Sequence, residues 1–330
     1  MIQCAFRATL GAFVATFGLV ATANASPVLA APFAGTYTIT NIGLAAGVPT
    51  SIAGLTEQIS NSNALLIGGN ANTPSGAIYS IGLTRNAGGH ISGFSGSASV
   101  FASASNIDAG LAYGPSNVLF ATTYNDNKIL QYKSGSTTPD KIINLTSLGL
   151  DGSTGGLAFV PSGFTGAGSL WISSYLSGKM YRADVVPDGL GTFNITNVSN
   201  IATLPTLLEN FAWVPNSAPI FSSSSQHVLT ALGSPNSVMA YSLNANGFPT
   251  TANGQTFISG FTNVPVGMSF DYLTGDLLIS EWSVTGAVYV VSGFTPVPEP
   301  SSLLLAGWFA TGVIAAWRTT QRKLRSCSSQ

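Results

Sequence analysis

Few side chains in this 330-residue sequence are suited to nucleophilic, acid–base or metal chemistry. The two histidines, His90 and His227, each stand beside a strand pattern without a flanking acid, and the Gly-x-Ser-x-Gly motif of serine hydrolases is absent. Both cysteines, Cys4 and Cys327, lie near the ends of the chain. A zinc site needs a cluster of histidines and cysteines. The sequence therefore gives neither a catalytic triad nor a zinc site.

Carboxylate and amide side chains are better candidates, because their oxygen atoms bind calcium and other hard cations. Glu57 lies in the first of five repeated units, and Asp151 and Asn210 lie just before or at the start of later units. These three are the candidate calcium ligands, although their spacing fixes no site. Asn125–Asn127 and the segment 271–276 carry similar oxygens, but Asn and Asp there are typical of turns. We expect no catalytic residue and no bound metal, and predict that the protein is not an enzyme.

Aromatic side chains in polar loops offer binding instead of catalysis. Tyr124, Tyr175 and Trp282 stand in polar loops among Ser, Thr and Asn. Aromatic rings stack on the faces of sugars, while amides and hydroxyls bond to sugar hydroxyls. The same three rings could instead pack between neighbouring sheets. Both interpretations stay open from the sequence.

Five repeated units position these residues. Each unit begins with a marker residue, followed by apolar residues, a short apolar strand and then an apolar residue before a tyrosine. The markers recur at intervals of roughly fifty residues, as in repeat architectures, and they are Gly54, Gly110, Gly156, Asn210 and Gly267. A further strand ends each of the first four units. Four short strands in about fifty residues are typical of a β-propeller blade.

The fifth unit lacks its fourth strand, and the segment 36–42 near the amino end belongs to no unit. Pairing these two would close the ring and remove free sheet edges. We therefore predict an all-β propeller over residues 26–296 with five four-stranded blades, or six if the segments 94–105 or 247–254 hold further strands. A β-sandwich or a β-helix is the alternative fold.

The strand pattern of residues 26–296 resembles the NHL-like and SMP-30-like propellers in general order, without a signature motif. Lactonase-like members of the second group hold a divalent cation at the central channel with Glu, Asn and Asp. This resemblance implies a metal-dependent hydrolase as the alternative function, with Glu57, Asp151 and Asn210 as its candidate ligands. The Glu-Gly-Pro and Asn-Gly surroundings of that group are missing here.

Residues 1–25 have the three parts of a secretory signal peptide. Arg7 is the positive part, residues 8–20 form a short apolar segment predicted to be helical, and Ala23 and Ala25 form a small-x-small cleavage site before Ser26. A second possible cleavage site follows Ala30 or Ala31.

Residues 297–330 form a second signal of three parts. The motif Val297, Pro298, Glu299 and Pro300 precedes an uncharged apolar stretch, 301–317, and a basic tail, 318–330, that carries Arg318, Arg322, Lys323 and Arg325. As a transmembrane helix the apolar stretch would span roughly 25 Å at about 1.5 Å per residue. The four cations would keep the end of the chain in the cytoplasm.

This tail resembles the PEP-CTERM sorting signal of exported proteins in Gram-negative bacteria that make exopolysaccharide. The resemblance implies transient anchoring in the inner membrane, recognition by an exosortase and cleavage near residues 297–300. The mature protein would then reach the cell surface or the extracellular matrix. A permanent single-helix anchor is the alternative, because an apolar stretch with a basic flank suits it equally well.

Charge excludes one further class of function. Residues 26–296 carry eleven acidic and six basic side chains, a net charge of −5, and they hold no cysteine. Nucleic-acid binding is excluded, because no basic patch exists for phosphate groups. The sequence therefore favours an exported surface or matrix protein that binds exopolysaccharide, another glycan or a protein, with a passive structural module as a further alternative.

Overall fold

The computed structural model describes residues 26–59, 61–221, 225–283 and 286–296, which form five β-sheets. The signal peptide and the sorting tail, with their two expected helices, lie outside the described residues. Within the described ranges, no helix is long and apolar enough to cross a bilayer.

Twenty-one strands build the described part of the chain. In chain order they are β1 (Val28–Leu29), β2 (Thr38–Gly43), β3 (Leu55–Gln58), β4 (Asn61–Gly69), β5 (Ala77–Arg85), β6 (Ile91–Ser103), β7 (Ile107–Tyr113), β8 (Leu119–Thr123), β9 (Lys128–Tyr132), β10 (Lys141–Asn144), β11 (Thr154–Phe159), β12 (Leu170–Ser174), β13 (Lys179–Pro187), β14 (Phe193–Thr203), β15 (Leu208–Trp213), β16 (His227–Leu232), β17 (Ser237–Ser242), β18 (Gln255–Ser259), β19 (Val264–Phe270), β20 (Leu277–Trp282) and β21 (Ala287–Ser292). Short 3₁₀ turns lie at Phe33–Gly35, Pro115–Asn117, Thr146–Leu148 and Thr251–Asn253.

The sheets are the five blades of a β-propeller. Strands β3–β6 form blade 1, β7–β10 blade 2, β11–β14 blade 3 and β15–β18 blade 4, while β19–β21 and β2 form blade 5. All neighbouring strands are antiparallel. The first strand of each blade contacts the first strands of the adjacent blades, so β3, β7, β11, β15 and β19 surround a central axis. We call these the inner strands.

Blade 5 closes the ring as the sequence predicts. β2 pairs with β21, with Thr38 opposite Ser292 and Thr40 opposite Val290. The ring has five blades, since residues 91–103 form the single long strand β6 and the segment 247–254 holds only a 3₁₀ turn and an isolated bridge. The short strand β1 was not predicted, and it adds a fifth strand to blade 4 beside β18.

Apolar side chains fill the five spaces between blades. The tyrosine of each third strand packs in one of these spaces. They are Tyr79, Tyr132, Tyr181, Tyr241 and Tyr289, and all but the half-buried Tyr79 are buried. These rings therefore hold blades together and are unavailable to a ligand.

The marker residues bring the inner strands into close contact. A Cβ atom at Gly54 would lie 2.4 Å from the carbonyl oxygen of Ala109, and one at Gly110 would lie 2.7 Å from the backbone nitrogen of Leu157. At Gly267 it would lie 2.9 Å from Cα of Gly54. Real Cβ contacts are not this short, so glycine is required wherever one inner strand approaches the next so closely.

Hydroxyl groups on the second strands link the inner strands further. Thr122 Oγ1 accepts a hydrogen bond from the N–H of Gly110 at 2.8 Å and donates to the carbonyl oxygen of Gly155 in the next blade at 2.7 Å. Ser173 and Ser280 make equivalent bridges from blades 3 and 5. These bonds satisfy buried backbone groups that the bulged inner strands leave unpaired.

Blade 4 differs at this layer. Ala231 stands where the bridging hydroxyl would be, as Gly68 does in blade 1, and only in blade 4 is the marker Asn210 instead of glycine. Asn210 Nδ2 donates to the carbonyl oxygen of Ala109 at 2.9 Å, reaching past the glycines at 155 and 156 to a non-adjacent blade. The marker layer therefore closes the axis and separates two openings. We call them the amino-end mouth and the carboxyl-end mouth, after the ends of the inner strands.

Candidate functional site

Two buried carboxyl groups lie together at the amino-end mouth. Asp108 is on β7 and Glu209 on β15, and they are only 4% and 7% exposed. In both strands the pairing register shifts across the acid. The shift lies between Ile107 and Leu111 in β7, and between Leu208 and Phe211 in β15. Such bulges redirect side chains from the regular pleat and are frequent beside functional sites.

Burial changes the ionisation of both groups. Removal from water raises the pKa of Asp108 to about 8, although hydrogen bonds from the Ala109 N–H and the Asn72 side chain favour its charged form. Burial, followed by the neighbouring charge of Asp108, raises the pKa of Glu209 well above its ordinary value. The two groups titrate as a pair that retains at least one proton at neutral pH.

No basic side chain of the described residues neutralises this pair. All six basic side chains of residues 26–296 are already in ion pairs with other acids. The pairs are Arg85 with Asp271, Lys128 with Asp126, Lys133 with Asp140, Lys141 with Asp188, Lys179 with Asp151 and Arg182 with Asp184. Buried acids of structural importance normally have such a partner. The absence of one marks Asp108 and Glu209 as candidates for function.

Three aromatic side chains stand at the same end of the propeller. Tyr124 and Tyr175 follow β8 and β12 directly, and Trp282 ends β20. All three therefore lie at the carboxyl end of a second strand, beside the amino end of the antiparallel inner strand. Each is half-buried. After burial, the charges of Glu209, Tyr124 and Asp108 raise the pKa of Tyr175, which shows that these groups are neighbours. The three aromatics singled out in the sequence thus come from equivalent positions in three blades.

The backbone beside Tyr175 is strained. Leu207 has a positive φ of 63°, which is rare for a bulky residue. Its N–H donates to the carbonyl oxygen of Tyr175 at 2.6 Å, and the N–H of Leu208 donates to the same oxygen at 3.2 Å. A Cβ atom at Gly233 would lie 3.3 Å from Tyr175 Oη. Strain of this kind persists where the surroundings fix a functional geometry, and here it fixes the residues next to Glu209.

This arrangement can bind an uncharged, hydroxyl-rich molecule. A protonated carboxyl donates a hydrogen bond and an ionised one accepts several, so the Asp108–Glu209 pair offers both to ligand hydroxyls. The faces of Tyr124 and Tyr175 supply apolar surface for the C–H face of a sugar ring, whereas Trp282 packs partly against the apolar cluster that includes Ala53 and Leu66. An anionic ligand would face a pair of acids without a nearby cation.

The candidate ligand Glu57 belongs to a different cluster, between blades 1 and 5. Arg85 donates to Glu57 at 3.1 Å and to both oxygens of Asp271 at 2.7 and 3.0 Å. Burial, and then the hydrogen bond and charge of Asp271, raise the pKa of Glu57 to about 9. Burial would also raise the pKa of Asp271, but hydrogen bonds from Arg85, Glu57 and Thr274 hold it below its ordinary value.

A second contact strengthens the same seam. His90 Nδ1 lies 2.8 Å from Asp276 Oδ1, and Asp276 Oδ2 accepts the N–H of Ile91 at 2.9 Å. The histidine that lacks an acid nearby in the sequence therefore has one in space. Since the seam joins the first blade to the last, its charges serve ring closure.

The other two candidate ligands are also apart. Asp151 pairs with Lys179 at 2.9 Å in the connection between blades 2 and 3, and Asn210 spans the marker layer. Glu57, Asp151 and Asn210 share no hydrogen-bond partner, and within the described ranges no three His, Cys, Asp or Glu side chains group as metal ligands.

In the sequence, Asp108 and Glu209 contribute to the net charge and were not among the candidate site residues. A signal was present, since each acid stands one or two residues before a marker, at Gly110 and Asn210. Because the two acids stand at different distances from their markers, regular strand alternation would point their side chains to opposite faces of the blades. The two bulges bring the acids together, and bulges leave no clear pattern in the sequence.

Comparison with known proteins gives similarity in structure alone. No protein-family model and no curated protein sequence matches this chain. An auxiliary nutrient binding protein from Bacteroides ovatus ATCC 8483 is similar, with a TM-score of 0.44 and 12% identity over 77% of this chain and 76% of that one. A luciferin-regenerating enzyme has a TM-score of 0.46 and 10% identity over 77% of this chain and 82% of its own. A glucose dehydrogenase has a TM-score of 0.44 and 11% identity over 77% of this chain and 98% of its own. Similarity at this level carries no argument about ligand or activity.

Proposed function

We propose that this protein is an exported binding protein that holds an uncharged glycan at the amino-end mouth of its propeller. One observation carries the proposal. Asp108 and Glu209 are buried without a basic partner, beside Tyr124 and Tyr175 from two blades. An acid pair that retains a proton suits hydroxyl groups, and the aromatic faces suit a sugar ring.

The binding test compares glycans that differ in charge. Residues 26–296 contain every strand of the closed ring, so this fragment is used on an array of neutral hexose oligosaccharides and uronic-acid oligosaccharides. We expect binding to neutral members only, because acidic sugars would meet the unneutralised pair. Preference for the uronic acids, or binding to neither class, would overturn the proposal and favour a passive structural module or a protein partner.

Variants of Tyr175 locate the glycan. Tyr175→Ala removes the stacking face and should weaken binding at least about tenfold, the equivalent of about 1.4 kcal/mol. Tyr175→Phe keeps the ring and should bind within about threefold of the original, since about 0.7 kcal/mol corresponds to that factor. Leu190→Ala, on the outer surface at 78% exposure, is the control that should change nothing. Equal loss in the Phe and Ala variants would show that stacking is not the cause.

A metal-dependent hydrolase is the second candidate, and one observation favours it. Asn72 Oδ1 is buried and has no hydrogen-bond partner among the described residues, and Asn72 contacts Asp108. With Glu209, these side chains supply three oxygen donors of the kind that calcium prefers. The test is calcium-dependent thermal stabilisation together with turnover of a simple lactone. Stabilisation that Asp108→Asn abolishes, accompanied by turnover, would replace the binding proposal with this one.

We also propose that the tail sorts the protein to the cell surface or matrix, by its resemblance to the PEP-CTERM signal. The chain leaves the propeller at the carboxyl-end face, where Thr295 Oγ1 lies 2.6 Å from Ser217 Oγ. A tail held in the inner membrane would therefore leave the amino-end mouth, with its acids and aromatics, facing away from the bilayer. An exosortase would cut near residues 297–300.

The sorting test changes one residue of the motif. Glu299→Ala should trap the full-length protein in the inner membrane, whereas the unchanged protein should be released without residues 301–330. Mass spectrometry of surface protein gives the carboxyl-terminal peptides. Intact tail peptides in released protein would contradict cleavage, and full-length unchanged protein that stays in the inner membrane would support a permanent anchor.

A further inference from the structure

The opposite end of the axis holds a separate cavity of about 470 Å³. Residues of all five inner strands line it, so it lies beyond the marker layer at the carboxyl-end mouth. Its volume falls within the range of about 300–1,000 Å³ that is usual for pockets enclosing small ligands. The exposed Ser116 and Ser162 lie at its edge and open it to solvent.

The repeat itself keeps this cavity open. Two residues after the marker, every blade carries a small side chain that lines the cavity, namely Thr56, Ala112, Ala158, Ala212 and Ser269. A larger side chain at any of these positions would take up the space. Five independent blades thus share a small residue where an ordinary core would be filled, because protein interiors are otherwise closely packed.

Aromatic side chains stand at the next position of four blades. Tyr113, Phe159, Trp213 and Phe270 line the cavity, with Tyr272 beside them. Gly114 permits this packing, since a Cβ atom there would lie 2.5 Å from the ring of Phe159. The walls therefore present ring faces and edges from several directions, which favours a flat apolar ligand.

The lining contains no Asp, Glu, Lys, Arg or His among the described residues. A charged ligand would lose its hydration and gain no partner of opposite charge. Water alone fills apolar space poorly, because it needs polar partners. The nearest acids, Glu57 and Asp271, lie behind the lining and are bound by Arg85, whereas the acids at the amino-end mouth have no basic partner.

We propose that the carboxyl-end cavity is a second binding site, for an uncharged small molecule with a flat apolar ring system. It is independent of the glycan site, from which the marker layer separates it. Ligand hydroxyl or carbonyl groups would face the edge at Ser116 and Ser162, and the ring system would lie among the aromatic walls.

The test uses two fluorescent probes with the same ring skeleton. N-phenyl-1-naphthylamine is uncharged, and 8-anilinonaphthalene-1-sulfonate carries a sulfonate. Titration of residues 26–296 should show saturable binding of one uncharged probe per chain and at least tenfold weaker binding of the sulfonate. Equal binding of the two probes, or no saturable binding, would overturn the proposal.

Cavity-filling variants locate the probe. Ala158→Leu and Ala212→Leu, made separately, should each weaken binding of the uncharged probe at least tenfold while the fold, followed by circular dichroism and thermal melting, is retained. Tyr175→Ala at the other mouth should leave probe binding unchanged. A folded Ala158→Leu variant with unchanged binding would overturn the site, as would loss of binding in Tyr175→Ala. If one leucine variant does not fold, the other decides.

Discussion

Asp108 is held in a state that costs folding stability at neutral pH. Its pKa of about 8 in the folded protein lies above that of the unfolded chain, so folding takes up a proton. The contribution of Asp108 to the free energy of unfolding is therefore largest below the ordinary pKa of aspartate, and it is lost as the pH rises towards 8. Functional residues often carry such a cost.

Asp108→Asn should remove the part of this pH dependence that Asp108 contributes, while buried Glu209 keeps its own raised pKa. We expect the variant to be more stable than the original protein at pH 8 by at least about 1 kcal/mol, or about 2–4 °C in melting temperature, and nearly equal near pH 4. Urea unfolding at both pH values gives the comparison. The same variant should bind the neutral glycan more weakly. A stability difference that does not grow with pH would show that Asp108 is not the titrating group.

Glu57 gives a second prediction at this scale, because its pKa of about 9 means that it is protonated at neutral pH. Glu57→Gln keeps a neutral donor beside Asp271 and should leave stability within about 0.5 kcal/mol, whereas Glu57→Ala should cost about 1–3 kcal/mol by leaving buried polar groups unpaired. Denaturant unfolding at pH 7 separates the two. Neither variant should change the response to divalent ions. A loss of calcium binding in Glu57→Ala would return Glu57 to the list of ligands.

Among the elements, the inner strands depend on glycine at the marker layer. Gly110→Ala places a methyl group 2.7 Å from the backbone of Leu157, so the blades must move apart, and we expect a cost of about 1–3 kcal/mol. Gly152→Ala is the matched control, because nothing lies within 4 Å of a Cβ atom there. Thermal unfolding of both variants gives the test. Equal melting temperatures would mean that the marker layer is loosely packed.

The two amino-terminal strands should differ in importance. Deleting residues 26–30 removes only β1, which pairs through Val28 and Leu29 at the outside of blade 4, and should lower the melting temperature by only a few degrees, corresponding to about 1 kcal/mol. Deleting residues 26–43 also removes β2 and leaves β21 as an open edge. We expect that deletion to destabilise the whole ring. Similar melting of the two fragments would argue against closure through β2.

At the scale of the whole molecule, the sequence predicted the ring better than the site. The spacing of Gly54, Gly110 and the later markers indicated the number of blades, because the close approach at four of the five markers requires glycine. The pairing of β2 with β21 could be predicted because the fifth unit lacks a fourth strand and the segment 36–42 belongs to no unit. Tyr124, Tyr175 and Trp282 were chosen for their chemistry, and the fold places them at one mouth.

The buried acids could not be found in this way. Asp108 and Glu209 meet across the axis from blades 2 and 4, and their offsets from the markers differ. The side-chain directions depend on bulges, and the lack of a basic partner depends on where all six cations pair in space. The sequence also made Glu57 a candidate calcium ligand, because it does not show that Arg85 and Asp271, from other parts of the chain, bind this side chain.

Ring closure through β2 also sets the order in which the domain can finish folding. β2 precedes blade 1 in the chain, whereas its partner β21 is the last strand of the ring. When the amino end crosses a membrane first, β2 must wait unpaired until blades 1 to 4 and β19–β21 have crossed. Contacts so distant in sequence form slowly. In the export that we propose, the unpaired β2 is therefore the segment that a chaperone would need to cover.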